Sequence, residues 1–565
     1  MDSGAILARP VGRVFLTDRL TWLLSLAIGC GGALALFPMP VLLGTAAYWD
    51  HPRGIVPGSW ADMIIALSGY EAFLRDGWRW PLFEVKSLGA PAGTNVVFTD
   101  SIPLLLLVGR LLFRLTGAVV PLFGPWSGLC IVAMALASTG LVRALGARDL
   151  VPGVAAAIIG ISMPVLLARW GHLALMGQAI MPLALTQYVR LRAEPRPDPV
   201  RLLARTVGLC LLALLIHPYL FLMVGGIALA TIAQAALDRR LTLWALAGCL
   251  AGLVGIVAAA VASMGHLAGG GPIAAGGFGY YSMNLLSPIV PQGSGLMAPS
   301  HRGVLDATGG QYEGLAYLGA GLLLLSVLAL VPLRQHQFGL VKRHACLLGV
   351  LAAFVLLALS HEIYVGPLHL VSLPLPDFLL GLAGIVRASG RFVWPALYLL
   401  AAVAIVRVAR RPHGAAILAC AALLQWIDAG PRRAMIAASV AAPAPAPLDG
   451  LAWAAALAGV DRAVVDPPFA CLPEGDYGVG WAAEAATQIQ LMAARTGVAT
   501  NTLNAARLRR LCDPGTPNGR TLLIRFQLGA GGAQSASHCR YDDQIAVCSE
   551  VLAPEILQTL LAARR

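Results

Sequence analysis

The chain has 565 residues, of which 58% are hydrophobic and only 12% charged, and its mean hydropathy is +0.75. Soluble domains carry roughly 25% charged residues. The composition excludes an ordinary soluble protein, a disordered chain and a disulfide-rich secreted scaffold, and it predicts an integral membrane protein. The net charge of +12 lies on the apolar part, because residues 445–565 hold 10 Arg and 11 Asp or Glu. This distribution indicates membrane topology rather than nucleic-acid binding.

A helix needs about 20 mainly apolar residues to cross a bilayer. Such runs predict spanning helices at roughly 21–45, 151–168, 173–189, 204–220, 221–237, 242–264, 313–333, 344–360, 391–407 and 413–430. The first run is too long for a signal peptide and is predicted to be an anchor. Eighteen basic residues mark the cytoplasmic face by the positive-inside rule, and they fall within 9–19, 143–148, 190–205, 239–240, 334–343 and 407–411.

Because the N-terminus and the loop 190–205 both lie on the cytoplasmic side, an even number of crossings must separate them, and the stretch 101–142 must contribute one. Half of that stretch is therefore predicted to be a short re-entrant or interfacial helix. We therefore predict a polytopic α-helical membrane protein with about eleven transmembrane helices and a cytoplasmic N-terminus. The predicted transmembrane domain is 1–437, with outer loops at 46–100 and 265–312. An Ala/Pro linker at 438–447 leads to a small soluble α/β domain at 448–565 on the outer side of the membrane.

The first outer loop combines six carboxylates with four Trp and two Tyr between residues 48 and 103. Asp62 follows Ser59, and either residue could cap a helix through 62–75. A carboxylate at the membrane boundary is costly unless it has a partner or a task. Asp62 is thus either a general base or substrate ligand, or a charge favoured by the helix dipole.

Other polar candidates recur at the same outer ends. Asp100 is interpreted as the cap of the helix that starts near Pro103, with a role in the same cavity as the alternative. His172 follows a predicted helix end and is a candidate substrate-binding residue. His217 is a second candidate, although its position beside Pro218 favours a hydrogen-bonded partner of a helix break.

The second outer loop is rich in glycine and ends in Gln311-Tyr312-Glu313-Gly314. Glu313 is either a helix-start charge or, with Gln311 and Tyr312, part of a hydroxyl-binding cluster. The length and glycine content of this loop are typical of a mobile lid. Arg387 and Arg391 lie outside, against the positive-inside trend, and therefore need an anion. Acidic lipid head groups would suffice, but the phosphate of a lipid-linked substrate is favoured because Arg binds phosphate bidentately.

The tail contains four cysteines, Cys471, Cys512, Cys539 and Cys548. In an exported domain they predict two disulfides with three possible pairings, and four free thiols are the alternative. The sequence has no phosphate-binding loop, zinc-protease motif or nucleophile elbow, which argues against ATP-driven pumping. It also shows no duplicated halves, which argues against a secondary transporter.

An ordered series of short motifs carries a family resemblance: Ser68-Gly69-Tyr70 to Phe73, Thr99-Asp100-Ser101-Ile102-Pro103, Arg169-Trp170-Gly171-His172, His217-Pro218-Tyr219, Gln311-Tyr312-Glu313-Gly314 with Tyr317-Leu318-Gly319, and Ser389-Gly390-Arg391. With the large first outer loop and the outer tail, this series resembles the GT-C superfamily of membrane glycosyltransferases. It is most similar to a bacterial family of uncharacterised GT-C-like polytopic proteins. The resemblance covers about residues 20–430 and the tail only loosely.

The resemblance implies inverting transfer of a sugar, a hexose or a pentose, from a polyprenyl-phosphate donor to a glycan, lipid or protein acceptor at the periplasmic face. Asp62 matches the first-loop acid that acts as base, although this chain has Trp60-Ala61 before it where the relatives have Gly. Glu313 and Asp100 would bind the sugar, and Trp60, Tyr70 or Tyr312 would stack on it. With no D-x-D in the loop, we expect a metal-independent enzyme without cofactors. The alternatives are a flippase or transporter of a lipid-linked saccharide, and a non-catalytic envelope assembly protein.

Overall fold

The structure is a computed structural model. It describes residues 11–55, 59–267, 277–297, 305–330, 342–441, 445–472, 480–506, 512, 519–526 and 538–563, and the side chains of 11–16, 59 and 60 are not part of that description. The predictions that concern Arg9, Arg13, Arg334, the side chain of Trp60, positions 442–444 of the linker and parts of the loop 265–312 lie outside the described residues.

The protein is mostly helical. Its first eleven helices are α1 (Val11–Leu36), α2 (Met39–Leu42), α3 (Ser59–Arg75), α4 (Pro103–Thr116), α5 (Phe123–Ala144), α6 (Leu150–Ile161), α7 (Pro164–Leu167), α8 (Ile180–Ala193), α9 (Pro199–Ile216), α10 (Pro218–Leu237) and α11 (Leu243–Met264). The helices after the second outer loop are α12 (Ala320–Leu330), α13 (Ala345–Leu359), α14 (Asp377–Ala383), α15 (Trp394–Ala409), α16 (Gly414–Asp428), α17 (Gly430–Ala441), α18 (Gly450–Leu457), α19 (Trp481–Thr496) and α20 (Pro554–Ala562).

Seven helical segments among the described residues are long and apolar enough to cross a membrane, and the pair α16 and α17, bent by 43°, would make an eighth. They are Thr17–Leu36, Phe123–Ala144, Leu150–Leu167, Pro199–Ile216, Pro218–Leu237, Leu243–Met264 and Ser389–Ala409. These helices fit a polytopic membrane protein. The stretch 101–142 holds the 14-residue amphipathic helix α4 and most of the candidate span α5.

Small residues bring the first helices into close contact. A Cβ on Gly29 of α1 would lie 2.8 Å from the Cα of Val132 in α5, and one on Gly153 of α6 would lie 2.4 Å from Thr21 Cγ2. Between the same helices, Ser25 and Thr139 share a buried hydrogen bond of 2.8 Å. Membrane helices associate through such small residues and buried polar contacts, because lipid offers no hydrophobic driving force between them.

One predicted helix boundary is wrong in a way that matters for function. The span predicted to begin at residue 313 begins at Ala320, after a 3-10 turn at Gln311–Gly314 and five extended residues. A buried Asp428 at the end of α16 holds this extended stretch by accepting the hydroxyl of Tyr317 (3.0 Å) and the backbone N–H of Ala320 (2.9 Å). Glu313 is therefore positioned in the turn, ahead of the helix.

The tail contains a five-stranded sheet with the order β6-β5-β7-β9-β8, and two short hairpins lie earlier in the chain. The strands are β1 (Glu84–Val85), β2 (Thr94–Asn95), β3 (Glu362–Val365), β4 (Leu368–Ser372), β5 (Arg462–Asp466), β6 (Ala499–Thr500), β7 (Thr521–Phe526), β8 (Cys539–Tyr541) and β9 (Ile545–Cys548). Strand β5 pairs in parallel with β6 and β7, and the remaining pairs are antiparallel. Helices α18, α19 and α20 pack on this sheet around Trp453, Ile489 and Ile524.

The four tail cysteines pair as Cys471 with Cys512 and Cys539 with Cys548, which is one of the three pairings that the sequence allows. Ahead of this domain, α17 continues through Ala441 and so occupies the first four residues of the predicted linker.

The tail domain lies directly against the first outer loop. Leu491 and Ala494 of α19 belong to the same buried cluster as the membrane helices, and α19 packs along α3. The N–H of Thr500 donates to the carbonyl of Ser87, and the Thr500 carbonyl accepts from Ala90, both at 2.8 Å. The tail is thus joined to the loop that carries Asp62.

Candidate functional site

The first part of the site is the contact between α3 and the segment before α4. A Cβ on Gly69 would lie 2.1 Å from Thr99 Oγ1 and 2.3 Å from Ser101 Oγ, so only glycine allows this approach. Ser101 also donates to the carbonyl of Ala66 (2.8 Å). Asp100, between these two hydroxyl residues, is held in the left-handed region with φ 53°, which is uncommon for a residue other than glycine.

The interpretation of Asp100 as a helix cap is wrong. Ile102 occupies the N-cap of α4, and no side chain caps that helix. The strained backbone of Asp100 directs its carboxylate toward His217, whose Nε2 lies 3.9 Å away. Backbone strain of this kind concentrates at functional sites, which supports the alternative that Asp100 faces the cavity.

Asp62 and His172 form the second contact. Asp62 lies in the first turn of α3, and its Oδ2 is 3.1 Å from Nδ1 of His172. His172 follows a tight turn in which Gly171 has φ 123° and packs on Gly54. Because the N–H of Ile55 donates to the carbonyl of Trp170 (3.0 Å), the first outer loop itself holds this turn in place.

Glu313 is the centre of a buried ion-pair network. Its carboxylate accepts two hydrogen bonds from Arg391, from Nε at 3.0 Å and from Nη2 at 2.8 Å, and a third from Nη1 of Arg169. His172 Nε2 lies 3.5 Å from the same carboxylate. Glu313 is only 5% exposed. It is therefore neither a helix-start charge nor an open hydroxyl-binding group.

The partner of Arg391 is consequently inside the protein. The prediction that Arg391 needs an external anion is wrong, because Glu313 binds it bidentately. Two glycines make this possible: a Cβ on Gly390 would lie 2.5 Å from the Cα of Gly314. The 3-10 turns Gln311–Gly314 and Ser389–Val393 therefore touch backbone to backbone, which places Glu313 beside Arg391.

The two acids of this network have opposite electrostatic environments. Burial raises the pKa of Asp62 to about 6, with His172 opposing the rise and Asp100 and Glu313 adding to it. Burial alone would also raise the pKa of Glu313, but Arg391 and Arg169 outweigh it and hold that pKa well below its ordinary value. Asp62 can exchange a proton near neutral pH, whereas Glu313 stays ionised.

His217 both caps a helix after the break at Pro218 and faces the site, which are the two roles that the sequence left open. Its Nδ1 accepts the N–H of Tyr219 at 3.1 Å and so caps α10. Burial, followed by the charge of Arg391, lowers the pKa of His217 well below its ordinary value. The ring is therefore neutral with its proton on Nε2, the nitrogen that faces Asp100.

Arg387 differs from Arg391 in that it is exposed. Its guanidinium lies over the ring of Tyr281, 5.1 Å from the centroid, and Tyr281 contacts the ring of Tyr312 at 6.3 Å. Burial and the neighbouring Glu313 raise the pKa of Tyr312 to about 12, so its hydroxyl remains a donor. Among the described residues, Arg387 makes no ion pair, so its charge is available at the edge of the site.

Burial overturns one prediction about this region and brings one further arginine into the site. Tyr70 is 1% exposed and donates to the carbonyl of Val120 (2.6 Å), so its assignment as a sugar-stacking residue is wrong. Arg169 was not among the predicted site residues, yet it is a partner of Glu313. A buried arginine beside an apolar run needs a counter-charge, and that signal was present in the sequence.

Oxygen and nitrogen atoms of Asp62, Asp100 and His172 lie within 4.8 Å of one another, close enough to share a divalent cation. Both nitrogens of His172, however, already face carboxylates. His172 is thus in direct contact with both Asp62 and Glu313.

Residues 26–430 match the family model described as Domain of unknown function (DUF6311). The chain belongs to this family. The DUF6311 region contains the site residues from Asp62 to Arg391, whereas the tail domain with its two disulfides lies beyond the match. No curated protein matches the chain.

Proposed function

We propose that this DUF6311 protein transfers a sugar from a polyprenyl-phosphate donor to an envelope acceptor, with inversion at the anomeric carbon. The observation that carries the proposal is the pairing of Asp62 with His172, next to Asp100 and at one end of the helical bundle. A carboxylate whose pKa is raised to about 6 is suited to general-base catalysis near neutral pH. The resemblance to GT-C enzymes assigns the same role to this residue.

In the proposed step, an acceptor hydroxyl attacks C1 of the sugar and gives its proton to Asp62. The C1–O bond to the phosphate breaks, and the polyprenyl phosphate leaves with the electron pair. His172 orients the Asp62 carboxylate, and Glu313 holds His172 from its other side at 3.5 Å. Asp100, the Nε2–H of His217 and the hydroxyl of Tyr312 are the groups that would bind the hydroxyls of the sugar.

The leaving phosphate would be bound by Arg387. This guanidinium is exposed and lies beside Tyr281 and Tyr312 at the edge of the site. A fixed cation stabilises the negative charge that develops on the leaving group. Arg391, whose charge Glu313 neutralises, would act by positioning Glu313 and His172.

The proposed topology has eleven crossings. It adds α8, α12 and α13 to the seven candidate spans and the bent pair α16 and α17. Counted from a cytoplasmic N-terminus, each of the six basic segments that set the predicted topology falls on the cytoplasmic side, and the site and the tail fall on the periplasmic side. Two disulfides in the tail are compatible with that oxidising compartment.

The test uses full-length protein in lipid nanodiscs and a panel of synthetic polyprenyl-phosphate hexoses and pentoses with labelled sugar. We expect release of polyprenyl phosphate with at least one donor. Arg387→Gln should lower kcat/KM about 10- to 100-fold, the value of a charge-assisted hydrogen bond, and Arg387→Lys should recover part of the loss. Arg201→Gln, on the opposite face and with its side chain 78% exposed, is the matched control. Chelation of divalent cations should leave the rate unchanged.

Two outcomes would support the alternatives. Movement of the lipid-linked sugar across the bilayer without cleavage would indicate a flippase. Wild-type envelope function in an Asp62→Asn strain would indicate an assembly protein without catalysis.

A further inference from the structure

The segment between α13 and α15 presents an apolar surface that no described part of the chain covers. It comprises the β3–β4 hairpin and α14, and nearly every side chain from 367 to 382 is exposed. The exposed fractions of Leu368, Phe378 and Leu382 are 63%, 68% and 59%. Apolar patches of this kind mark an interaction surface.

This surface is held against the site at both ends. The hairpin turn at Gly366 exchanges two hydrogen bonds with the side chain of Asn284, at 2.8 and 2.9 Å, and Asn284 also donates to Gln311 (3.1 Å). After α14, the N–H of Ala388 donates to the hydroxyl of Tyr219 (2.7 Å). The exposed leucines are therefore displayed by an anchored element and lead along the chain to Arg387.

We propose that residues 368–386 insert into the outer leaflet of the membrane and hold the hydrocarbon chain of a lipid phosphate whose phosphate reaches Arg387. The binding of a lipid phosphate rests on the function proposed above, and it adds the place where the hydrocarbon chain of the lipid lies. The segment continues directly into the candidate span Ser389–Ala409, which places it at the bilayer boundary. An open hairpin edge cannot enter the hydrocarbon core, so the segment lies in the interface, as amphipathic anchors do.

The charges fit this occupant. Arg387 is exposed at the C-terminal end of the apolar surface, where a phosphate would lie when the chain rests on Leu379, Leu382 and Ile385. The few polar groups on the hairpin satisfy one another, since Glu362 accepts hydrogen bonds from Ser372 (2.6 Å) and pairs with His369 (2.7 Å). A lipid phosphate matches this combination of an apolar track and one terminal cation.

The first experiment measures depth. Full-length protein with Cys30 and Cys420 replaced by Ala is labelled with an environment-sensitive fluorophore at Phe378→Cys and placed in nanodiscs that contain doxyl lipids. We expect a blue-shifted emission and loss of fluorescence. The control is a label at Leu451→Cys, an exposed apolar position of the tail domain (87%), which should not be quenched. Equal, unquenched emission from both labels would overturn the proposal whether or not the protein transfers sugar.

The second experiment measures binding without catalysis. Native mass spectrometry compares a long-chain polyprenyl phosphate with geranyl phosphate on wild type and on Phe378→Ser/Leu382→Ser. We expect the double variant to lose about tenfold or more in affinity for the long chain and to bind geranyl phosphate like wild type. Equal long-chain affinity would overturn the chain-holding role. Because neither experiment requires turnover, a protein that binds long chains but transfers no sugar would refute the proposed function alone.

Discussion

Nδ1 of His172 lies 3.1 Å from Oδ2 of Asp62. The other nitrogen of the ring faces Glu313 at 3.5 Å, so the imidazole connects the acid that can exchange a proton to the acid that stays ionised. The two contacts of His172 thus connect the first outer loop to the turn before α12. They also explain why the site needs α3, the 169–172 turn and the 389–393 turn together.

Asp62→Asn should abolish the base and lower kcat about 10²- to 10⁴-fold. In the wild type, kcat/KM should rise as the pH increases through about 6, because the base acts in its deprotonated form and burial raises its pKa to that value. A pH–rate profile with a synthetic donor measures this. Asp50→Asn, in the same loop with its side chain 75% exposed, should keep the wild-type profile, and a flat wild-type profile between pH 5 and 8 would contradict the assignment.

Glu313→Gln should destabilise the protein by about 3–5 kcal/mol, because it leaves Arg169 and Arg391 buried without their counter-charge. The pKa of Glu313 is held well below the ordinary value of about 4.3. Its contribution is therefore full above that pH and is lost as the pH falls toward the folded pKa. Thermal unfolding in nanodiscs measures both effects. The control is Glu194→Gln, which breaks an exposed pair with Arg205 and should lower the free energy of unfolding by less than about 1 kcal/mol. Equal losses of Tm in Glu313→Gln and Glu194→Gln would be inconsistent with a buried network.

Gly69→Ala should displace Thr99 and Ser101, since its Cβ would lie within 2.3 Å of both hydroxyls. We expect a loss of about 1–3 kcal/mol of stability from overpacking, together with a raised KM through the shift of Asp100. Gly349→Ala in α13 is the matched control, because nothing lies within 4 Å of its Cβ. If both variants unfold at the same temperature, the close contact between α3 and residues 99–101 does not exist.

The tail domain should stabilise the first outer loop through Glu484. This carboxylate contacts Nε2 of the buried His51 at 2.9 Å and Nη2 of Arg53 at 2.7 Å, directly before the segment that packs on Gly171. Glu484→Gln should speed amide exchange in residues 51–55 and α19 and leave β7 and β9 unchanged. Glu555→Gln in α20 serves as the control. Unchanged exchange at 51–55 would show that the tail is not coupled to the site.

Most residues of the site are predictable from the sequence, because charged and polar residues are costly at the ends of apolar helices. That cost singles out Asp62, the places of Asp100, His172 and Glu313 at the same outer ends make them candidates, and the structure brings all four together. Their partners were harder to predict. The Glu313–Arg391 pair depends on the contact of Gly314 with Gly390, which are 76 positions apart in the sequence.

Predictions made from neighbouring residues are wrong where contacts between residues far apart in the sequence decide the local structure. Asp100 has the sequence context of a cap, but the packing of Ser101 on Ala66 turns its backbone to a positive φ. The predicted start of α12 at residue 313 is seven residues too early, because hydropathy does not register the extended stretch held by Asp428. The sequence predicts no element for the apolar segment 368–386, because it is too short to span a bilayer and its exposure depends on the fold.

The most direct test of the central claim compares wild type, Asp62→Asn and Asp50→Asn in nanodiscs with the labelled polyprenyl-phosphate sugars. We predict that wild type and Asp50→Asn release polyprenyl phosphate at similar rates, and that Asp62→Asn binds the same donor but releases about 10²- to 10⁴-fold less. Equal release by all three proteins, or no release from any donor that the wild type binds, would contradict the assignment of Asp62 as the base of a sugar transferase.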